Sequence, residues 1–457
     1  MEGSSMEATL VRGTRGHRIR LRAGADACEA LKRGDEVRLG LHPLAVTGEG
    51  QRPGDLSARP MLGRLSIPGS WRLHVDVRDG VVRIGPVIGI FTSSCRRGSR
   101  RPFAGLTARF RRFIALAREM GAIAYVFTPK GIHWQSKIIR GYTYLPAGKG
   151  HRWVRGAFPF PDVVYNRVPT RKAERRKSVR EARLRLLAEP GLDLFNPEFL
   201  DKWSVYQILS KDETLRAYLP ATTPCTGAAS LLSFLREHGR VYLKMADGSL
   251  GKGTVRVELL KGGGFGWHAT RPGGHMVHRT LRKEAQLRAA LARLRRGRRY
   301  LMQKAVPLLK TGGRPFDIRA LVQKDAHGRW LVTGMAARIA GRGQITTHRP
   351  RGGSRARLSP LIRSIFRDEA KARHITQELH RVIVRAAEVF DRATGDRHGE
   401  LSMDVGLDAA GHPWIFELNS KPAVFDEPSI RRVARRRLLN YCFSCSGFAP
   451  RAPAAGG

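Results

Sequence analysis

Two short apolar runs separated by an amphipathic helix set the class of fold. Val87-Ile88-Gly89-Ile90-Phe91 and Ile123-Ala124-Tyr125-Val126-Phe127 have the length and apolar continuity of buried strands. Between them Phe110, Phe113, Ile114 and Ala117 recur at helical spacing, and the pattern stops before Gly121. Strand, helix and strand in that order imply a right-handed parallel crossover, the core of an α/β unit. Asp162-Val163-Val164-Tyr165-Asn166-Arg167 can add a later strand to the same sheet.

What precedes and follows this unit reads differently. The segment up to about Gly80 is rich in Arg and Gly, with β-like runs at Leu39-Gly40-Leu41 and Leu73-His74-Val75-Asp76-Val77, and is expected to be a small β-rich domain. Arg171 to Lys177 reads as a solvated helix start, with a phosphate-binding patch as the alternative. A boundary near Asn196-Pro197 opens a helix containing Lys202. Val241–Met245 and Thr254–Glu258 read as strands flanking a glycine-rich loop, and Ile318–Val322 with Trp330–Gly334 as a hairpin across Asp325-Ala326-His327-Gly328. A long helix with Ile375, Leu379, Val382, Ala386 and Val389 on its buried stripe comes next. The expected domains are 1–83 (β-rich), 84–195 (α/β) and 196–440, with 441–457, ending in Pro, Ala and Gly, as a disordered tail.

Composition excludes several classes. No stretch approaches the ~20 apolar residues needed to cross a bilayer, and the N-terminus lacks the basic-then-apolar pattern of a signal peptide. Five cysteines in 457 residues make no disulfide framework, and Cys442 and Cys445 form a lone CxxC that reads as incidental thiols in a reducing, cytoplasmic setting. The formal net charge of +45 favours polyanionic partners. The basic residues are nevertheless spread along the chain, and aromatics are only 7%, without the stacking pattern of an RNA-binding sheet. An arginine-rich surface is the plainer explanation, and nucleic acid is a disfavoured partner.

The last hairpin carries the chemistry. Leu401, Met403, Val405 and Leu407 alternate onto one face and leave Asp404 on the other. In the returning strand Ile415 is expected to share a face with Glu417 and Asn419, with Phe416 and Leu418 facing away. Pairing through Asp408-Ala409-Ala410-Gly411 can bring Asp404 beside Glu417 and Asn419. Two carboxylates and an amide oxygen are hard ligands suited to Mg²⁺ that keeps waters and substrate phosphates. Exposed polar positions on a half-buried hairpin are the alternative.

Taken together, Val164-Tyr165-Asn166-Arg167, Phe195-Asn196-Pro197 leading to Asp201-Lys202-Trp203, Lys244 to Gly253, Phe316-Asp317-Ile318-Arg319, Gly352-Gly353 and Phe416-Glu417-Leu418-Asn419-Ser420-Lys421-Pro422 are similar in order and spacing to the ATP-grasp superfamily. They most resemble its endospore coat-associated YheC/YheD branch, over roughly Pro86 to Leu439. The resemblance implies an α+β ATP-grasp fold preceded by a Rossmann-like pre-ATP-grasp domain and the β-rich N-terminal segment. It implies ATP and Mg²⁺, or Mn²⁺, as cofactors, with Asp404, Glu417 and Asn419 as metal ligands.

By the same resemblance Lys202 and Lys244 contact nucleotide phosphates, and Gly248, Gly251 and Gly253 belong to a flexible loop that closes over them. The loop lacks the Gly-Lys-Ser/Thr ending of a Walker motif. Gln303, Lys304 and Val306 receive adenine, largely through backbone groups, an ordinary edge strand being the alternative. Asp317 and Arg319 share a strand face and reach ribose, phosphates or substrate, with a structural ion pair as the alternative. Arg338 holds the acyl phosphate or acceptor, against a surface role. His348 stands where related proteins carry asparagine, which puts that metal and phosphate contact in doubt. The implied activity is carboxylate–amine ligation through an acyl phosphate. The resemblance does not identify the substrate, and it is the basic charge alone that points, beside a small molecule, to acidic peptides or polymers as acceptors. The resemblance also links the chain to spore coat proteins and to the forespore surface or coat. The rivals are a nucleotide-binding spore-coat scaffold without turnover, and a nucleic-acid binder whose DNA affinity falls steeply with salt and ignores ATP.

Overall fold

The computed structural model describes the chain apart from residues 1–6, 14–15, 23–35, 53–54, 62–64, 148–149, 249–250, 252, 271–275, 342–352, 396 and 450–457. Seven strands between Glu7 and Gly85 close into a barrel. Closure runs through Glu7–Gly13, which is antiparallel to both Gly16–Arg22 and Trp71–Arg78. A closed sheet leaves no edge to aggregate. Leu10, Val37, Leu39, Trp71, Leu73, Val82 and Ile84 belong to its buried core. The expected β-like run at Leu39-Gly40-Leu41 breaks at Gly40: the strand Glu36–Leu39 stops there, and Gly40 turns at φ 59°. A Cβ on Gly40 would lie 2.5 Å from the Phe160 carbonyl oxygen, so glycine also permits the close approach of the next unit.

The α/β unit forms as its sequence pattern predicts. Val87–Phe91 pairs in parallel with Ile123–Phe127 on one side and Val163–Asn166 on the other, and Asp193–Phe195 extends the sheet. Strand alternation sends Ile88 and Ile90 to one face, under the helix Thr107–Glu119, while Val87 and Phe91 face the helix Lys177–Leu187. Residues 441–449, expected to belong to a disordered tail, do not form one, and 450–457 lie outside the described residues. The helix Pro428–Cys445 carries Leu438, Leu439, Tyr441, Cys442 and Phe443 into the same core as Phe110 and Phe113, and Phe448 follows them. Five apolar side chains at helical spacing outweigh the Pro/Ala/Gly composition of what comes after.

The C-terminal half contains two six-stranded sheets. One, antiparallel throughout, runs Thr222–Pro224, Tyr300–Lys304, Arg240–Met245, Val255–Leu259, Phe265–Thr270, Met276–Leu281, and packs on the helices Ala228–His238 and Glu284–Arg295. The other runs Ser354–Arg357, Trp330–Ile339, Arg314–Lys324, Glu400–Leu407, Pro413–Asn419, with Lys310–Thr311 at the side, and packs on the 25-residue helix Glu369–Ala393. Of its expected stripe Ile375, Leu379, Val382 and Ala386 are buried there, and Val389 is half-buried against the same core. The short helix Lys202–Leu209 is capped by the Asp201 carboxylate, which accepts from the amides of Trp203 (3.0 Å) and Ser204 (3.2 Å). Lys202, Val205, Tyr206 and Leu209 share one face of it, and that face lines a crevice between the two sheets. Among the described residues no helix is long and apolar enough to cross a membrane.

Candidate functional site

The hairpin register sets Asp404 directly opposite Glu417 and Ser402 opposite Asn419. One detail departs from strict alternation. The register shifts between Asp404 and Val405, so that Phe416 is an extra residue in the returning strand. Ile415 therefore joins Leu418 in the core and does not share the face of Glu417 and Asn419. The bulge frees Phe416 to line the crevice beside Glu417.

Two ammonium groups enter this crevice from separate elements. Lys202 Nζ donates to the Gly248 carbonyl oxygen at 2.6 Å and lies 3.2 Å from Glu417 Oε1. Lys244 Nζ lies 2.5 Å from Gln303 Oε1 and 5.4 Å from the Phe416 ring centre. Gln303 in turn donates to Thr222 Oγ1 at 3.1 Å, which fixes the amide so that its oxygen faces the lysine. Burial pulls the Lys244 pKa down to about 8, and Lys202 adds to the shift, while Glu417, Asp404 and Asp317 oppose it. The crevice encloses about 480 Å³, part of it open solvent, and its remaining walls are apolar: Val205, Leu209, Leu219, Leu301 and Ile415. A concave, mostly apolar lining with a few convergent polar groups is the usual make-up of a small-molecule site.

Of the glycines, Gly248 N donates to the Met245 carbonyl oxygen at 3.1 Å, and Gly251 and Gly253 adopt φ 61° and 70°, a conformation that favours glycine. The intervening 249–250 and 252 lie outside the described residues, as does His348. Lys304 is exposed at the end of its strand and Val306 half-buried; neither lines the crevice with its side chain. The Lys304 amide donates to the Ala221 carbonyl oxygen at 2.8 Å.

Arg319, Arg338 and Asp317 form a charged row with Asp404. Arg338 grips Asp317 through two bonds of 2.9 Å each, and both Arg338 Nη2 and Arg319 Nη1 lie 3.0 Å from Asp404 Oδ1. Burial alone would lower the Arg338 pKa, but Asp404 and Asp317 outweigh it and raise it. Arg319 Nη2 also donates to Ser402 Oγ at 3.1 Å. Asp317 thus shares a face with Arg319, and its bidentate partner is Arg338 on the next strand. Sequence reasoning missed Thr222, Ser402 and Phe416. The first two are small hydroxyls without a local pattern, and the third depends on a bulge.

Among the described residues no three His, Cys, Asp or Glu side chains cluster as a metal site. The donor set present is smaller: two opposed carboxylates, both only partly exposed at 15% and 23%, with Asn419 two residues beyond Glu417. Such oxygens fit Mg²⁺ or Mn²⁺ completed by water and phosphate, and do not fit a structural zinc. The Cys442 and Cys445 thiols are not activated: burial pushes both up, Cys445 to about 12.

A family model described as YheC/D like ATP-grasp matches residues 191–444. The endospore coat-associated protein YheD of Bacillus subtilis (strain 168) is 29% identical over 405 residues, covering 88% of this chain and 87% of YheD. The endospore coat-associated protein YheC of the same strain is 25% identical over 321 residues, covering 70% and 85%. Among solved structures, D-cycloserine synthetase DcsG superposes over 79% of this chain and 99% of its own, with 15% identity and a TM-score of 0.47.

Proposed function

The chain belongs to the YheC/D-like ATP-grasp family, and from that premise we propose that it binds Mg-ATP in the crevice and uses it to activate a carboxylate as an acyl phosphate for attack by an amine. The observation that carries this reading is convergence. Lys202, Lys244 and Glu417, from three separate elements, line one crevice, and Asp404 lies across from Glu417.

In this reading Lys202 and Lys244 neutralise the triphosphate, and the loop bearing Gly248, Gly251 and Gly253 covers it with backbone amides. Gln303, Lys304 and Val306 receive adenine, and Asp317 orients Arg338. Asp404, Glu417 and Asn419 would hold Mg²⁺ or Mn²⁺, which when bound offsets the charge of the phosphate oxygens. Arg319 and Arg338, already aimed at Asp404, stabilise charge on the transferred group and hold the acid in place. Positioning and charge neutralisation are what phosphoryl transfer asks of a protein. The names of the relatives support an association with the endospore coat. A second reading, a coat scaffold that binds nucleotide without turnover, is favoured by the two arginines that already occupy Asp404 Oδ1.

Thermal unfolding with ATP, with and without Mg²⁺, tests the binding. Stabilisation is expected only with metal, by about 2.7 kcal/mol at a hundredfold excess over Kd, and is expected to disappear in Glu417→Ala. Metal-independent stabilisation, or a shift retained in the variant, rejects the metal assignment. Screening acids and amines for ADP release separates the ligase from the scaffold.

Affinity should also depend on pH. Lys244 is a cation below about 8, and bound phosphates favour that cation. Mg-ATP affinity is expected to be flat below that value and to fall by up to about tenfold per pH unit above it. Calorimetry across this range checks it. A flat profile to about pH 9.5 would contradict the role of Lys244.

A further inference from the structure

A second pocket opens off the same sheet. Alternation sends Ile318, Ala320 and Val322 of the strand Arg314–Lys324 into the core, leaving Asp317, Arg319, Leu321 and Gln323 on the opposite face. In the neighbouring strand Leu401, Met403 and Val405 are in the core, leaving Glu400, Ser402 and Asp404. The register pairs Arg319 with Asp404, Leu321 with Ser402 and Gln323 with Glu400. One sheet face therefore runs from the charged row at the crevice to a floor of Leu321, Gln323 and Glu400, in steps of about 7 Å per two residues. Above that floor the helices Thr107–Glu119 and Pro428–Cys445 and the loop Pro422–Phe425 enclose about 850 Å³, the open mouth included. Phe425 packs on Leu321 and lies 5.9 Å from the Arg319 guanidinium, so the wall of this pocket touches the row at the crevice.

The charge inside is one-sided. Glu400 is spent on Arg109 and Arg167. Arg112, Arg431 and Arg435 line the pocket, and among the described residues no carboxylate pairs with any of them. Burial lowers the Arg435 pKa, and repulsion from Arg112, Arg431 and Arg432 lowers it further. Arg112 and Arg435 also line an adjoining groove with Arg432, Arg436 and Arg437, which carries Glu119 and Asp325 as well. An anionic chain laid along this path would relieve the repulsion. The two aromatics in the pocket, Phe113 and Phe425, are buried and offer no face for base stacking.

We propose that this pocket and groove bind an acidic peptide, one carboxylate reaching toward Arg319 and the others lying along Arg112, Arg431 and Arg435. The proposal deepens the ligase reading by naming the class of acid, and for the role of Arg319 it rests on that reading.

The test is fluorescence anisotropy of labelled hexaglutamate with the full chain. Arg112→Glu/Arg435→Glu is expected to weaken binding about tenfold or more. Ala434→Trp, which fills the pocket wall without changing charge, is expected to do the same. Arg293→Glu/Arg373→Glu, an equal charge change on exposed helix faces elsewhere, should leave affinity within about twofold. Loss in that control pair equal to the pocket pair, or no loss in Ala434→Trp, overturns the proposal in favour of general surface charge. Hexathymidylate bound as tightly and weakened by the same variants overturns it in favour of nucleic acid. Mg-ATP stabilisation of the wild type, measured alongside, reports on the crevice alone. Its absence would reject the nucleotide reading while the peptide result stood.

Discussion

Glu400→Ala is expected to destabilise the folded chain by about 3–5 kcal/mol, the usual cost of removing one partner from a buried charge pair. Glu400 is 2% exposed and lies between the α/β unit and the C-terminal half. Its Oε1 is 3.0 Å from Arg109 and 3.3 Å from Arg167, and accepts from the Tyr165 hydroxyl. Its Oε2 accepts from Gln323 Nε2 at 3.3 Å. Burial and the proximity of Arg109 already lower the Arg167 pKa. Without the carboxylate, two guanidiniums only 18% and 7% exposed would face one another. Both also donate to the Pro422 carbonyl oxygen, at 2.9 and 3.0 Å, so the loss would be felt immediately beyond Asn419. Glu400→Gln keeps the shape and one acceptor and should lose less. Urea denaturation of both variants decides the matter. A loss under about 1 kcal/mol in the alanine variant would mean that water compensates the arginines.

Lys244→Met is expected to weaken Mg-ATP binding by about 10- to 100-fold, the value of a hydrogen bond to a charged group, without lowering stability. These two outcomes have a single cause. The crevice disfavours the ammonium in the free protein, as its depressed pKa indicates, so removing it relieves a burial cost. Gln303 Oε1 loses its lysine donor, which offsets part of that relief, while Nε2 keeps Thr222. Calorimetry for affinity and thermal unfolding for stability check the pair. Unchanged affinity would remove Lys244 from the nucleotide site, and a large stability loss would make it a structural residue.

Much of this arrangement was legible in the sequence, for reasons that differ from residue to residue. That Asp404 and Glu417 come together was expected from a hairpin closed by a short turn, but their direct opposition depends on the bulge, since unbroken pairing from Leu407 and Pro413 would set Phe416 there. The parallel crossover at Val87–Phe91 followed from element order. The bulge at Phe416 could not be read, because alternation assumes that no residue is skipped. Lys202 and Lys244 carry no local signal that separates them from surface lysines; only their place in a series of motifs singled them out. Asp317 and Arg319 were correctly set on one face, but which cation Asp317 holds depends on Arg338, a strand away. Glu400 was invisible because Arg167 and Arg109 lie 233 and 291 residues from it in sequence. The barrel was seen only as scattered β-like runs, since closure is a property of pairing.

The burial of Leu438 to Phe443 and Phe448 against Phe110 and Phe113 bears on how the chain is made. One face of a sheet built from residues 87–195 is completed by side chains synthesised more than two hundred positions later. During translation that face must wait, apolar and open, until the final helix leaves the ribosome, so the early unit cannot finish folding ahead of the rest. A stop codon shortly before residue 428 would spare every residue of the crevice and still leave the α/β unit without that wall.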